Sequence, residues 1–411
     1  MISVLQNCKF PKQERLTVID LFSGCGGFSC GLEQAGLDVV AANDIWNEAG
    51  LTFSKNHKCA EFILGDIREE KIHKKIVSKA KEKQCQVIVG GPPCQAYSMS
   101  GARNVDDERG HLFESYVKLV KEIQPKLFVM ENVSGILTMR HDKPNLSPLQ
   151  KKKMGKLKEL ERKRADLMLL RKKAKNTSSF TFLDTDQSEL DRINDELAKQ
   201  RENCWDCREL VTEKITRAFK EIGYDIEFKL LNAADYGAPQ KRERVIFIGV
   251  LPGVHISFPE ATHCNPKLID GGSLFAEALR PWVTVRSAIS DLENAEEMSH
   301  QAHWFTRHSE EFVGRIKATK VGSSIYKGYS DAWYRNPPDE PSRTVKENHG
   351  GVLVHYAKHR VMTPRELARL QTFPDKFYFE GSKSDVLVQI GNAVPPQLGR
   401  AIGEHVKKIL A

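Results

Sequence analysis

Three short stretches of this sequence carry side chains able to do covalent chemistry. Gly90-Gly91-Pro92-Pro93-Cys94-Gln95-Ala96-Tyr97-Ser98 follows an apolar run, and two prolines stiffen the turn that presents Cys94. A thiolate is a potent protein nucleophile, although a cysteine taken singly is more often a small buried hydrophobe. Glu131, in Glu131-Asn132-Val133, closes another apolar run, where a carboxyl can give or take a proton. In isolation such a glutamate reads as a surface charge, and Asn132 as the residue that orients its turn. Gln240-Lys241-Arg242-Glu243-Arg244 stands directly before a third apolar run, where a basic stretch is ordinarily a solvated strand edge.

Other stretches are suited to holding a ligand. Asp20-Leu21-Phe22-Ser23-Gly24-Cys25-Gly26-Gly27 reads as a strand entering a glycine-rich turn and then a helix. Glycines let the backbone approach a ligand closely, and a helix N-terminus favours anionic groups. Alone, the turn equally fits a tight strand–helix connection or a dinucleotide site. Asp44 follows about 20 residues on, placed to accept hydrogen bonds from ribose hydroxyls. Asp66-Ile67 offers an acid and an apolar face for an adenine, though Asp66 by itself reads as a helix cap. Cys204-Trp205-Asp206-Cys207 has a zinc-like spacing, but no second ligand pair lies near it, and no metal is expected.

These residues need a scaffold, and the hydrophobic pattern supplies one. Strands are expected at Leu16–Phe22, Asp38–Asn43, Gln86–Val89, Leu127–Met130, Ile226–Leu231 and Val245–Val250. Helices are expected at Phe28–Ala35, Leu112–Ile123 and Ile215–Ile222. Short apolar strands alternating with helices predict an α/β, doubly wound, mostly parallel sheet, with ligands at the carboxyl ends of its strands. Gln150–Gln200 differs: it is rich in Lys, Arg, Glu and Leu, breaks at Asn176–Asp186, and spaces Leu190, Ile193 and Leu197 for one helix face. A helical hairpin inserted at about 145–205 is predicted, either as a solvated appendage or as a DNA-backbone contact. Between Leu251 and Thr363 seven prolines break the pattern, and a smaller, irregular, strand-rich domain is expected. Thr363-Pro364-Arg365-Glu366 has the form of a helix start, and Pro396–Leu410 of a closing helix.

Composition narrows the class. The 411 residues are 40% hydrophobic, enough for a large core. No apolar run is long enough for a membrane span, and no signal peptide is evident. Nine scattered cysteines argue against a disulfide framework and for a reducing cytoplasm. The net charge is +8, but twelve basic and three acidic residues between Gln150 and Lys175 supply +9 of it, so the rest is nearly neutral.

Taken in order, these motifs resemble those of prokaryotic DNA (cytosine-5) methyltransferases of restriction-modification systems. Pro93-Cys94-Gln95, Glu131-Asn132-Val133 and the Gln-x-Arg-x-Arg pattern at 240–244 are the most specific. The likeness spans nearly the whole chain except Gln150–Gln200. It implies a Rossmann-like S-adenosylmethionine-dependent methyltransferase domain over 1–250, with the helical insertion, and a target-recognition domain over 251–358. A C-terminal segment over 359–411 would support the small domain through 359–380 and return to the catalytic domain through 385–411. S-adenosylmethionine would be held by Phe22, Gly24, Gly26, Asp44 (where the family usually has Glu), Asp66, Ile67, Asn392 and Val394. Cys94 would attack carbon 6 of a flipped-out cytosine, and Glu131 would stabilise charge at ring nitrogen 3. Arg244 would contact the oxygen 2 side, and Arg242 would brace the catalytic loop. Gly101–His111 would form a mobile loop closing over the base. Ser98, Ser100 and Thr344 would meet double-stranded DNA, Thr344 in Arg343-Thr344-Val345 before Gly350-Gly351. Glu366 and Arg369 would be structural. A cytoplasmic monomer is expected, since nothing in the sequence demands a dimer, and a cognate endonuclease is a possible partner. A transfer-RNA cytosine-5 methyltransferase and a catalytically silent DNA-binding regulator remain the alternatives.

Overall fold

The computed structural model describes residues 15–93, 111–143, 145–176, 182–270, 278–326, 333–346 and 353–411. They divide into two compact units. The first comprises Met1–Pro92, Ser115–Asn132 and Gly223–Ala411, and the second Pro93–Glu114 and Val133–Ile222.

The first unit is built on a seven-stranded sheet. Its strands are β1 (Thr17–Leu21), β2 (Asp38–Asp44), β3 (Glu61–Leu64), β4 (Val87–Gly90), β5 (Leu127–Val133), and the later pair β8 (Asp225–Asn232) and β9 (Glu243–Val250). The spatial order is β3-β2-β1-β4-β5-β9-β8. β1 to β5 pair in parallel, and β8 runs antiparallel to β9. The apolar runs read from the sequence are the buried central strands: Val18, Ile19, Leu21, Val87, Ile88, Val89, Leu127, Phe128 and Val129 are fully enclosed. β3 went unread because a four-residue edge strand beginning with Glu61 carries little signal.

Helices α1 (Gly27–Gln34), α2 (Asn47–Asn56) and α3 (Glu70–Glu82) connect the first strands, and α4 (His111–Ile123) leads toward β5. The C-terminal helix α13 (Pro396–Ile409) returns to lie on α1. A Cβ on Gly31 would be 2.2 Å from the Pro396 carbonyl oxygen. Phe28, Leu32, Leu398, Ile402 and Val406 share one core with the sheet. The strand order reverses between β1 and β4, so the glycine-rich turn after β1 and the Gly-Gly-Pro-Pro turn after β4 flank the switch point, where such sheets bind ligands.

The stretch after β9 is irregular, as the prolines demand. The expected strand content is met among the described residues only by β10 (His263–Cys264) with β11 (Arg280–Pro281), and β12 (Tyr334–Arg335) with β13 (Leu353–Val354). Helices α8 (Pro266–Asp270), α9 (Val285–Ile289), α10 (Glu310–Ala318), α11 (Pro364–Leu370) and α12 (Lys383–Asn392) are short. Carbonyls left without a ladder are taken by buried guanidinium groups. Arg335 donates to Tyr356, Ile316 and Thr319 oxygens, and Arg365 to those of Gln301, Pro374 and Phe377. α11 begins with Thr363 as N-cap, Pro364 in its first turn and Glu366 closing a capping box, while Glu366 pairs with Arg360.

In the second unit, α5 (Pro148–Asn176) and α6 (Asp184–Asn203) pack side by side as the predicted hairpin. Met154, Leu157 and Leu160 meet Ile193 and Leu197, with Cys204 and Cys207 closing the base of this small core. Strands β6 (Arg140–Asp142) and β7 (Arg208–Leu210) pair antiparallel at its neck, and α7 (Val211–Glu221) follows. Among the described residues, no helix is long and apolar enough to cross a membrane.

Gly249 tests the packing of the large sheet. A Cβ there would lie 2.1 Å from the ring of fully buried Phe128. Gly249→Ala should lower the urea midpoint with an unchanged slope, a loss of about 1–3 kcal/mol.

Candidate active site

The turn after β1 is built from left-handed residues. Phe22, Gly24 and Gly26 have φ of 57°, 54° and 92°. Phe22, which has a side chain, holds this conformation at a cost of roughly 1–3 kcal/mol, a strain typical of ligand-binding turns. Gly26 is required twice over, because a Cβ would fall 2.3 Å from His57 Nε2. His57 is buried beneath the turn, with Nδ1 2.9 Å from Glu33 Oε2 on α1. A Cβ on Gly27 would meet the Val394 carbonyl at 2.5 Å, so the C-terminal segment closes against the turn.

The acids predicted around this turn have defined partners. Asp44 accepts from the Gly24 amide at 2.8 Å and from the Trp46 amide at 3.0 Å. Burial pushes its carboxyl above the usual range, and those amides pull the other way. Asp44 therefore ties the end of β2 to the glycine turn. Asp66 is held by Arg68, whose guanidinium keeps its carboxyl below the usual range. Ile67 is buried, whereas Ile45 is 68% exposed and presents the apolar face at this end of the sheet. Asn392 is the exposed last residue of α12. Strained glycine turn, carboxylate, open apolar face and closing C-terminal segment fit a nucleoside-bearing ligand such as S-adenosylmethionine.

At the neighbouring strands, Glu131 and Arg244 meet. Arg244 Nε lies 2.6 Å from Glu131 Oε1, and each side chain is only 13% exposed. The guanidinium also donates to the Glu243 carbonyl. Glu131 stands over Gly91, where a Cβ would be 2.9 Å from its Oε2. Asn132 Nδ2 donates to the Pro92 carbonyl at 3.1 Å, which orients the turn leading to Cys94. Cys94, Ser98, Ser100, Gly350-Gly351 and almost all of Gly101–His111 lie outside the described residues.

Arg242 occupies a different place from Arg244. It is fully buried, and its two terminal nitrogens donate to the carbonyls of Val345 at 2.8 Å and Gly391 at 2.9 Å. What it braces in this structure is the segment around Thr344 and the end of α12. Thr344 Oγ1 donates to the Lys241 carbonyl at 2.7 Å, so its proton already serves that junction. Gln240 completes the hub through Gln371 and the Val345 amide. Tyr334 is buried, and the Arg343 guanidinium stacks 4.3 Å over its ring. His57, Glu33 and Gln371 were not singled out from the sequence. Each acts on residues far away in the chain, and no local pattern marks them.

The sheet order and the glycine turn at its switch point define the class of S-adenosylmethionine-dependent methyltransferases. Residues 16–160 and 195–408 match the family model described as C-5 cytosine-specific DNA methylase, and the chain belongs to that family. It is 30% identical over 409 residues to the Type II methyltransferase M1.HphI of Haemophilus parahaemolyticus, covering 96% of this chain and 87% of that protein. It is 28% identical to M.NgoPII of Neisseria gonorrhoeae, covering 99% of both. Among solved structures, a DNA modification methyltransferase encoded within an E. coli prophage aligns with a TM-score of 0.62 at 23% identity, over 96% of this chain and 99% of that one. S. pombe Dnmt2 aligns at 0.53 and 16%, over 97% and 98%. These structures share the fold.

Asp20 closes β1 beneath the turn, fully buried, accepting from Ser29 Oγ at 2.6 Å. Burial raises its pKa from 3.8 to about 7, with the nearby Asp44 adding to the rise. Between these values the unfolded chain loses a proton that the folded protein keeps. Stability from this group is therefore full below about pH 4 and falls as pH rises toward 7, by at most about 4 kcal/mol. Asp20→Asn should flatten that decline, as urea unfolding at pH 5 and pH 8 would show.

Proposed function

We propose that this enzyme transfers a methyl group to carbon 5 of a cytosine flipped out of a short double-stranded DNA sequence, with Cys94 as nucleophile. The observation that carries the reading is the Glu131–Arg244 pair on neighbouring strands, beside the Gly91-Pro92 turn that leads into Cys94. Carbon 5 of cytosine is too electron-poor to accept a methyl group unaided. Addition of the Cys94 thiolate to carbon 6 moves electron density toward carbon 5 and ring nitrogen 3. Glu131, oriented by Arg244, meets the ring at nitrogen 3, and Arg244 also faces the oxygen 2 side. S-adenosylmethionine, when bound, supplies an electrophilic methyl group. Phe22, Gly24 and Gly26 would shape its site, Asp44 and Asp66 would take its polar groups, and Ile67, Asn392 and Val394 would close it. After transfer, the carbon 5 proton leaves to solvent and the carbon–sulfur bond breaks, restoring the aromatic ring and the free thiol. Arg242 acts as a positioning residue. Ser98, Ser100 and Thr344 belong to the DNA-facing segments, and 251–358 serves target recognition, inside the boundaries read from the sequence.

The Type II designation of the relatives supports a restriction-modification setting, with a cognate endonuclease, in a prokaryotic cytoplasm. The protein would act as a monomer.

Expression in a methylation-free bacterial host, followed by single-base mapping of 5-methylcytosine, should show modification at one short recurring sequence. Methyl groups found in transfer RNA, with none in DNA, would overturn the substrate. Cys94→Ala should abolish transfer and retain DNA binding. Glu131→Gln should lower turnover by about 10²-fold or more, with binding little changed.

A further inference from the structure

The basic helix of the inserted pair is left over by this reading. By sequence, α5 carries twelve basic and three acidic residues between Gln150 and Lys175, whereas α6 carries three basic and seven acidic. The two helices therefore lie side by side with opposite charge. Lys156 pairs with Glu196, Arg201 with Glu161, and Arg164 bonds Asn194. These contacts neutralise α5 on the side facing α6, while elsewhere on the helix Lys158 pairs with Asp142 and Lys163 with Glu159. Lys151, Lys152 and Arg162 are exposed and form no ion pair among the described residues. Lys151, Gly155, Lys158 and Arg162 follow the four-, three-, four-residue spacing of one helix stripe, about 16 Å long, in which Lys158 is taken by Asp142 and Lys151 and Arg162 stay open. Gly155 lies in the middle of that stripe, and a side chain there would meet nothing within 4 Å.

The neck of the hairpin extends the same character. Trp205 is 63% exposed, and the Arg140 guanidinium lies 3.5 Å over its ring. Arg140 is held there by the Arg208 carbonyl. Gln150 bonds Asp206, which brings the start of α5 to this turn. An exposed tryptophan stacked by arginine, next to unneutralised lysines on a flat helix stripe, fits a rigid polyanion better than an acidic side chain. We infer that the outer stripe of α5, with Arg140 and Trp205, docks the phosphate backbone of duplex DNA without regard to sequence. This rests on the reading of the chain as a DNA methyltransferase. It adds a hold on the substrate separate from target recognition.

The test titrates the full chain against a labelled random-sequence duplex of about 40 base pairs at several salt concentrations, alongside methyl transfer to saturating unmethylated bacterial genomic DNA. Lys151→Ser/Lys152→Ser/Arg162→Ser should make the slope of log affinity against log salt shallower by about 2–3 and weaken binding at least tenfold near 0.1 M salt, with maximal transfer unchanged. Asp195→Asn/Glu202→Gln, on α6, should leave affinity within about twofold. A triple variant with wild-type slope and affinity overturns the inference. So does an α6 variant that gains as much as the triple variant loses, since net charge rather than a docking face would then govern binding. Intact DNA binding without methyl transfer by the wild-type protein would instead sink the methyltransferase reading.

Discussion

One buried cation organises the first unit. Arg242 lies wholly inside the protein, where an uncompensated charge would be prohibitively costly. It is tolerated because its rigid fork meets two backbone carbonyls, those of Val345 and Gly391, 103 and 149 residues further along the chain. Gln240, two residues before it, bonds Gln371, Leu370 and Val345. A single turn thus gathers the irregular segment at Val345 and the C-terminal ends of α11 and α12. Arg244 follows two residues later on the same run of chain, so the position of the ion pair with Glu131 is tied to this anchorage.

The cofactor turn shows a second kind of dependence. Its left-handed residues would relax if they were not enclosed, and they are enclosed by residues from three places. His57 lies beneath Gly26, Asp44 holds the Gly24 amide, and the Val394 carbonyl presses on Gly27. The strain at Phe22 is thereby maintained in a shape ready for a ligand. Because Val394 and α13 come from the end of the chain, that shape is complete only when the C-terminal helix has packed on α1.

The helical hairpin obeys simpler rules. Its core is its own, made from residues fewer than sixty apart, and its helices attract each other through opposite charge. Such an element can be lengthened without disturbing the sheet, which agrees with the family model matching up to residue 160 and resuming at 195. Beyond Leu160 the packing thins: Leu167 is only partly buried against this core, and Met168 and Leu169 are exposed.

Local signals made much of this protein legible from sequence. Period and apolar runs marked the central strands, and Leu190, Ile193 and Leu197 marked the buried face of α6. Thr363-Pro364-Arg365-Glu366 marked the start of α11, because a cap is a contact among near neighbours. The order of Pro93-Cys94-Gln95, Glu131-Asn132 and Gln240–Arg244 carried the resemblance to cytosine-5 methyltransferases, the family to which the chain belongs. Pairings across long separations were decided only by the tertiary structure. Glu131 bonding Arg244, Arg242 holding Val345 and Gly391, and His57 supporting Gly26 all depend on which strand ends and loops the sheet order brings together. The short strands after β9 were misjudged for a related reason. Prolines announce irregular chain, but only the folded arrangement shows that arginines, not neighbouring strands, satisfy its carbonyls.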